Sequence, residues 1–465
     1  MNELGTSEVG ALVGLAAAVA LLIFFVVKTK IHAILALIIA ASIAGMAAGM
    51  APDAVIETIT AGFGSTLGTI GLVIGLGVMM GRILEVSGAA EKLAYTLIRW
   101  IGKKKEEWAL SVAGFIISIP IFVDSAYVIL QPLVRSLAHT TGRSILTLGI
   151  ALAGGLIVTH HAVPPTPGPL GAAGIFGVGI GEMIIWGVVL TIPAMLLVTI
   201  YAKVMGPRIE AMIERDTGET LSPAEAFEEF QQRADEREQE LPSLFISILP
   251  ILLPIVLIFI NTFSTNLTDA GVLDLPEGVV SVAGFIGNPV IALLFGVLAA
   301  VYGLTRNQSR QGTIADMEKG VQAAGIILLV TGAGGALGEV LRESGSAEAI
   351  GEAVASLPLP TILIPFIIAT VVRIIQGSGT VAIITSASIS APILAQVPDV
   401  NMVLAAQAAS LGALFFGYFN DSFFWVVNRM LGVKNAKHQM LVWSVPTTIA
   451  WAATMVMLLI ASFIF

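Results

Sequence analysis

Two acidic residues interrupt otherwise apolar sequence, each among small polar neighbours. Asp124 lies within Trp108–Leu137 beside Ser125, and Asp421 lies within Met402–Met430 between Asn420 and Ser422. An ionisable group at membrane depth is costly, so it faces a cavity and works on ions or solute. A carboxylate there can take up a proton on one side and release it on the other, which makes Asp124 and Asp421 candidate proton carriers. His160 and His161 are adjacent, so on a helix they point about 100° apart. His160 is assigned to the proton path or to a substrate hydrogen bond, and His161 to helix packing. Adjacent histidines do not easily share one ion and no carboxylate is near them in sequence, so no metal is expected. The chain has no cysteine, which excludes disulfides and cysteine–metal centres. No cofactor is implied.

A second set of residues suits an anion. Gln376-Gly377-Ser378-Gly379-Thr380 offers small, flexible backbone followed by a new helix, whose first N–H groups and positive dipole end bind anions without Lys or Arg. Ser125-Ala126 does the same after the first interruption. Thr159 and Thr166 flank and enter Val163-Pro164-Pro165-Thr166-Pro167-Gly168-Pro169, where four prolines in six residues must break a helix. Ser125, Thr159, His160, Thr166, Ser378, Gly379, Thr380, Asn420 and Ser422 are therefore the expected substrate contacts. Arg373 stands in a span-length apolar stretch, placed to pair with Asp421 or Asp124 or to hold a carboxylate itself.

These residues need a membrane to position them. The 465 residues are 56% hydrophobic and 12% charged, as expected of a polytopic all-α membrane protein. Val9–Val27 reads as a first span and not as a cleaved signal, being too long and lacking a basic start. Full spans follow at Ile31–Met50, Ala61–Leu84, Met183–Tyr201, Leu244–Ile260, Val279–Tyr302, Val321–Leu341 and Val442–Phe465. Trp108–Leu137 and Thr361–Leu394 read as re-entrant hairpins, and Ile145–Phe176 and Met402–Met430 as spans broken near the midplane. Arg82, Arg99, Lys103–Lys105, Arg306, Arg310, Lys434 and Lys437 mark the cytoplasmic side. Most of the net charge of −9 lies in Gly206–Pro242, with 11 acidic and 4 basic residues (4 − 11 = −7). No basic face exists to bind nucleic acid.

An internal repeat organises the chain. Gly81–Glu91 matches Gly338–Glu348 at an offset of 257 (338 − 81), and the same offset carries Pro164 to Asp421. The expected domains are a first repeat over 1–205, an acidic cytoplasmic linker over 206–242 and a second repeat over 243–465. Each repeat has five full spans and a hairpin, and an odd number inverts the second. Inverted repeats with discontinuous helices and a midplane site form a transporter pattern. Glycine pairs such as Gly64/Gly68, Gly71/Gly75, Gly77/Gly81 and Gly334/Gly338 are expected to be close-packing seams.

Several of these pieces occur together in one family. Gly62–Gly68 with Ser87-Gly88, Phe122–Ala126, Thr159-His160 with Val163–Pro169, Gln376–Val381 and Asn420–Ser422 are spread along the chain in order. In them the chain resembles the gluconate:proton symporter family of bacterial inner membranes. The resemblance implies proton-linked uptake of gluconate or a related hydroxy or amino carboxylate. It also implies a homodimer working as an elevator, with membrane lipid around it. The chain departs from the family pattern at His161, where glycine is common, and at Thr166, where histidine is common. Alternatives from the residues alone are a sodium-coupled organic-anion carrier, an intramembrane hydrolase using Asp124 and Asp421 as a carboxylate pair, and a passive channel.

Overall fold

The computed structural model describes residues 31–101, 104–218, 240–269, 276–345, 347, 351 and 359–465. The first expected span, and 219–239 of the acidic linker, lie outside them. The described residues form helices joined by short turns. The first group is α1 Ala33–Ala47, α2 Pro52–Val86, α3 Ala89–Ile101, α4 Glu106–Ile117, α5 Val123–Thr141, α6 Ile145–Ala162, α7 Pro167–Phe176 and α8 Ile180–Thr217. The second is α9 Leu244–Asp269, α10 Glu277–Ile286, α11 Pro289–Leu304, α12 Arg310–Glu343, α13 Leu363–Gln376, α14 Gly379–Leu394, α15 Met402–Gly412, α16 Ser422–Met430, α17 Ala436–Gln439 and α18 Val445–Ile464. A π-helical turn, Met440–Ser444, joins α17 to α18. Among the described residues, six helices are long and apolar enough to cross a membrane, or seven if the bent pair α10–α11 counts as one span.

Each interruption falls where local chemistry requires it. Residues 118–122 separate α4 from α5, and α4, with 12 residues, is about 18 Å long against a hydrocarbon core of about 30 Å. Gly377 closes α13 with φ of 80°, a left-handed conformation that a side chain resists. A Cβ there would also run into the backbone of Asn420, so the turn and the second broken span meet at this glycine. Prolines at the start of α7 end the run that α6 begins. The second break, residues 413–421, begins earlier than expected, because the chain leaves α15 at Gly412.

Other elements run longer than their apolar cores suggest. α2 extends the expected third span back to Pro52, α12 begins at Arg310, and α8 continues past Tyr201 to Thr217. Polar turns propagate from a helix already nucleated in lipid, since each added residue gains a hydrogen bond. The stretch expected as Val279–Tyr302 is two helices, bent by 57°. Asn288 caps the second of them by accepting from Val290 N–H at 3.0 Å. α3 is an amphipathic helix the span-based reading left out, with Ala89, Ala90, Leu93 and Ala94 buried and Trp100 exposed.

The start positions of matching helices differ by 255 to 258 residues, for example 363 − 106 = 257 for α4 and α13. Packing repeats as well. α4 packs on α6 as α13 packs on α15; α7 on α14 as α16 on α5; α1 on α12 as α11 on α2. α2 and α12 form the central pair. Their close approach is made at Gly62 and Gly335, where added side chains would meet the opposing backbone. Gly81 and Gly77 hold the turn at Pro120 and the break at Pro165 against α2, and Gly334 lies on Ser388. Gly64, Gly68 and Gly75 differ from the expected seams: no described residue approaches them.

Candidate functional site

The proline break leaves carbonyls without helical partners, and a side chain from the other half satisfies one of them. Gln407 of α15 is fully buried, and its Nε2 donates to Ala162 O at 3.0 Å and Met183 O at 2.8 Å. The end of α13 is treated alike: Tyr418 Oη and Asn420 Nδ2 donate to Ile374 O at 2.6 and 3.0 Å. Gly417 N–H donates to Thr447 Oγ1 at 3.0 Å, and Ser444 Oγ donates to Gly417 O at 2.6 Å. These irregular backbone groups at membrane depth are thus paired within protein, one of the two settings lipid permits, the other being the wall of a water-filled cavity.

Both turns, the second break and the last turn of α6 ahead of the first break contribute to one cavity of about 290 Å³, and the proline residues of the first break itself do not line it. Phe122, Val123 and Asp124 come from the start of α5; Ile157, His160 and His161 from the end of α6. Arg373 and Gln376 come from the last turns of α13, Gly377 to Thr380 from the second turn and the start of α14, and Asn420 to Phe423 from the second break and the start of α16. The N-termini of α5, α14 and α16 all open here. α5 has no side-chain cap, α14 is capped by Ser378 and α16 by Asp421. Asp421 occupies the N-terminus of α16 and Asp124 stands in the first turn of α5, so the end of the three that carries no carboxylate, and suits an anion, is that of α14.

Of the expected contacts, His160, Ser378, Gly379, Thr380, Asn420 and Ser422 line the cavity with Asp124 and Asp421. Ser125, Thr159 and Thr166 do not. The hydroxyl of Thr159 donates to Gly155 O at 3.3 Å, and that of Thr166 to Val163 O at 2.6 Å. Short hydroxyls readily bond nearby backbone in this way, which removes them from the solute. Ser125 follows Asp124 on α5 and is half-buried.

His161, assigned to packing, is also at the cavity. Because the end of α6 enters between the two turns, the angular separation of the histidines sends one ring to each. His160 lies 6.1 Å from the Phe122 ring, centroid to centroid, and His161 lies against Gly379.

Arg373 and Asp421 are joined by a buried ion pair, Arg373 Nη2 to Asp421 Oδ2 at 2.6 Å, with side-chain exposures of 3% and 8%. The same oxygen accepts from Trp443 Nε1 at 3.2 Å, and Oδ1 accepts from Phe423 N–H at 3.1 Å. Asp421 is therefore engaged on both oxygens. Asp124 is half-buried and, among the described residues, belongs to no ion pair. Around the cavity, Arg373 Nε, Gln376 Oε1, His160 Nδ1, His161 Nε2 and Asn420 Oδ1 are buried without a hydrogen-bond partner. Buried polar atoms are rarely left so, and a cluster facing one cavity describes the inside of a polar ligand site. Among the described residues, no group of three or more histidine, aspartate or glutamate side chains is arranged to hold a metal.

Sequence reasoning placed Gln376 in the turn without making it a contact, and passed over Gln407 and Trp443 as supporting residues. A signal existed for Gln407, a long amide among the apolar residues of Met402–Gly412. Trp443 carried none, because a tryptophan in an apolar run is ordinary.

The fold and the sequence both have known counterparts. An uncharacterized permease of Haemophilus influenzae is 54% identical over 459 residues, covering 98% of this chain and 92% of that protein. A gluconate permease of Pseudomonas aeruginosa is 33% identical, covering 95% of each chain. The crystal structure of the YdaH transporter of Alcanivorax borkumensis superposes with a TM-score of 0.61 at 18% identity, covering 87% of each chain, a likeness of fold. The relatives are permeases and not enzymes, which ends the hydrolase reading of Asp124 and Asp421. The protein is a multi-pass protein of the bacterial inner membrane. Residues 10–464 match the GntP family permeases, and the chain belongs to that family.

Proposed function

We propose that the protein takes up a small hydroxylated monocarboxylate, gluconate or a close relative, together with a proton. The cluster of unpartnered polar atoms around the cavity carries this reading. Its size lies at the lower edge of ligand pockets, about 300–1,000 Å³, which suits a small solute. The carboxylate is held by the N-terminus of α14 with Arg373 Nε, and the hydroxyls by Asn420, Gln376 and the histidines.

Coupling follows from charge. The positive charge of Arg373 is matched by Asp421, and Asp124 adds a second carboxylate to a cavity that must also receive the solute's own. Two carboxylates sharing a small site repel, so the anion enters best when Asp124 carries a proton. Asp124, with His160 beside Phe122, is the proton carrier, and the role expected of Asp421 passes to it. Asp421 instead orients Arg373.

The repeated helices and their paired contacts support two inverted repeats that expose the cavity to either side in turn. In that scheme α2 and α12 form the stationary part, and the hairpins and broken spans move as an elevator. The protein works as a homodimer. Uptake of labelled gluconate into proteoliposomes under imposed pH or sodium gradients tests the proposal. Accumulation driven by the pH gradient alone is expected. Accumulation driven only by sodium overturns the coupling, and none under any gradient overturns the substrate class.

A further inference from the structure

The chemistry of one imidazole nitrogen is set by geometry. His161 Nδ1 lies 3.0 Å from the carbonyl oxygen of Ile157. A carbonyl only accepts, so Nδ1 bears the hydrogen of that bond, and in the neutral ring Nε2 is the lone-pair nitrogen. His161 is 3% exposed, and its Nε2 has no partner. It lies against Gly379, where a Cβ would collide with it. Gly379 is the first residue of α14, so this acceptor stands beside the N–H groups that receive a carboxylate.

The next acceptor is oriented by the same logic. Asn420 Nδ2 donates to Ile374 O, which turns Oδ1 away as an unpartnered acceptor. A solute with its carboxylate at the end of α14 therefore meets a lone pair at the atom next to the carboxylate.

We propose that His161 is a specificity-determining residue that demands a hydrogen-bond donor on the carbon adjacent to the substrate's carboxylate. This rests on the site reading above and sharpens it. A 2-hydroxyl supplies the donor. A 2-keto group sets a carbonyl oxygen against the Nε2 lone pair, and a 2-deoxy acid leaves Nε2 buried and unpaired. Loss of one partner at a buried acceptor lowers affinity roughly tenfold to a hundredfold. Sites built to bond a hydroxyl discriminate strongly against analogues that lack it.

The experiment is competition against labelled gluconate uptake by the full-length protein in proteoliposomes, with gluconate, 2-ketogluconate and 2-deoxygluconate as competitors. For the wild type, gluconate is expected to compete at least about tenfold better than either analogue. In His161→Leu, which keeps bulk but removes the acceptor, that ratio falls to about twofold or less. 2-Deoxygluconate gains affinity, since no nitrogen is then left unpaired. His161→Gln, whose amide oxygen can face the cavity, restores part of the preference. The inference is overturned if the wild type takes the 2-keto acid as well as gluconate, or if His161→Leu keeps the wild-type ratio. The wild-type measurement stands even if a variant fails to fold. Absence of labelled gluconate uptake by the wild type overturns the site reading instead, and this inference with it.

Discussion

Asp421→Asn separates a carboxylate that orients Arg373 from one that carries a proton. The substitution keeps the side chain's size and an oxygen able to cap Phe423 N–H, a bond now 3.1 Å long. It removes the charge that faces Arg373 at 2.6 Å, where the two side chains are 3% and 8% exposed. Leaving one member of a buried pair without its partner costs about 3–5 kcal/mol. Asp421→Ala loses the cap as well, about a further 1 kcal/mol, although terms within one network do not simply add. The assay is thermal unfolding of the detergent-solubilised protein, followed by tryptophan fluorescence, beside gluconate uptake. Asp421→Asn is expected to melt several degrees lower and to lose transport, because Arg373 is no longer held toward the cavity. The double variant Arg373→Met with Asp421→Leu regains much of the stability, since an apolar pair removes both desolvated charges. It remains inactive, having lost Arg373 Nε. A stable Asp421→Asn that exchanges substrate normally and has lost only its pH dependence would refute this reasoning and return the proton to Asp421.

Asp124→Asn is expected to fold as the wild type, because among the described residues the side chain is in no ion pair. It should keep substrate exchange and lose accumulation driven by a pH gradient, measured in the same vesicles. If protonation precedes anion entry as proposed, wild-type uptake is expected to rise as the outside pH falls, and in Asp124→Asn that slope is expected to flatten. Gln407→Leu leaves the carbonyl of Ala162, at the end of α6, without its donor and removes a second bond to Met183 O, which keeps its helical partner. A loss of about 1–3 kcal/mol for the orphaned group predicts a lower melting temperature and weakened uptake. Gly155→Ala places a methyl against the carbonyl oxygen of Ser111 and forces α4 away from α6. Overpacking of about 1–3 kcal/mol is expected, read as reduced yield and thermal stability.

Much of the architecture was legible because lipid enforces a simple rule. A helix must stay apolar for its whole crossing, so polar or proline-rich interruptions stand out. Asp124, Gln376–Thr380 and Asn420–Ser422 were found in this way, and all reach one cavity. Helix ends were less legible. α2 and α8 run past their apolar cores, because exposed turns carry no hydropathy signal. Thr159 and Thr166 were misplaced because a hydroxyl's choice between solute and its own backbone depends on rotamer and neighbours.

The sequence by itself determined a multi-pass membrane protein whose apolar runs carry polar breaks, with an acidic residue in or beside two of them. Hydropathy and chain period are local properties, readable one segment at a time. Only the tertiary structure decided which carboxylate pairs with Arg373, that Gln407 closes the break in the other half, and that both histidines reach the cavity. Those outcomes depend on distances between segments 48 to 245 residues apart, and on which lone pair remains after every nearer partner has been served.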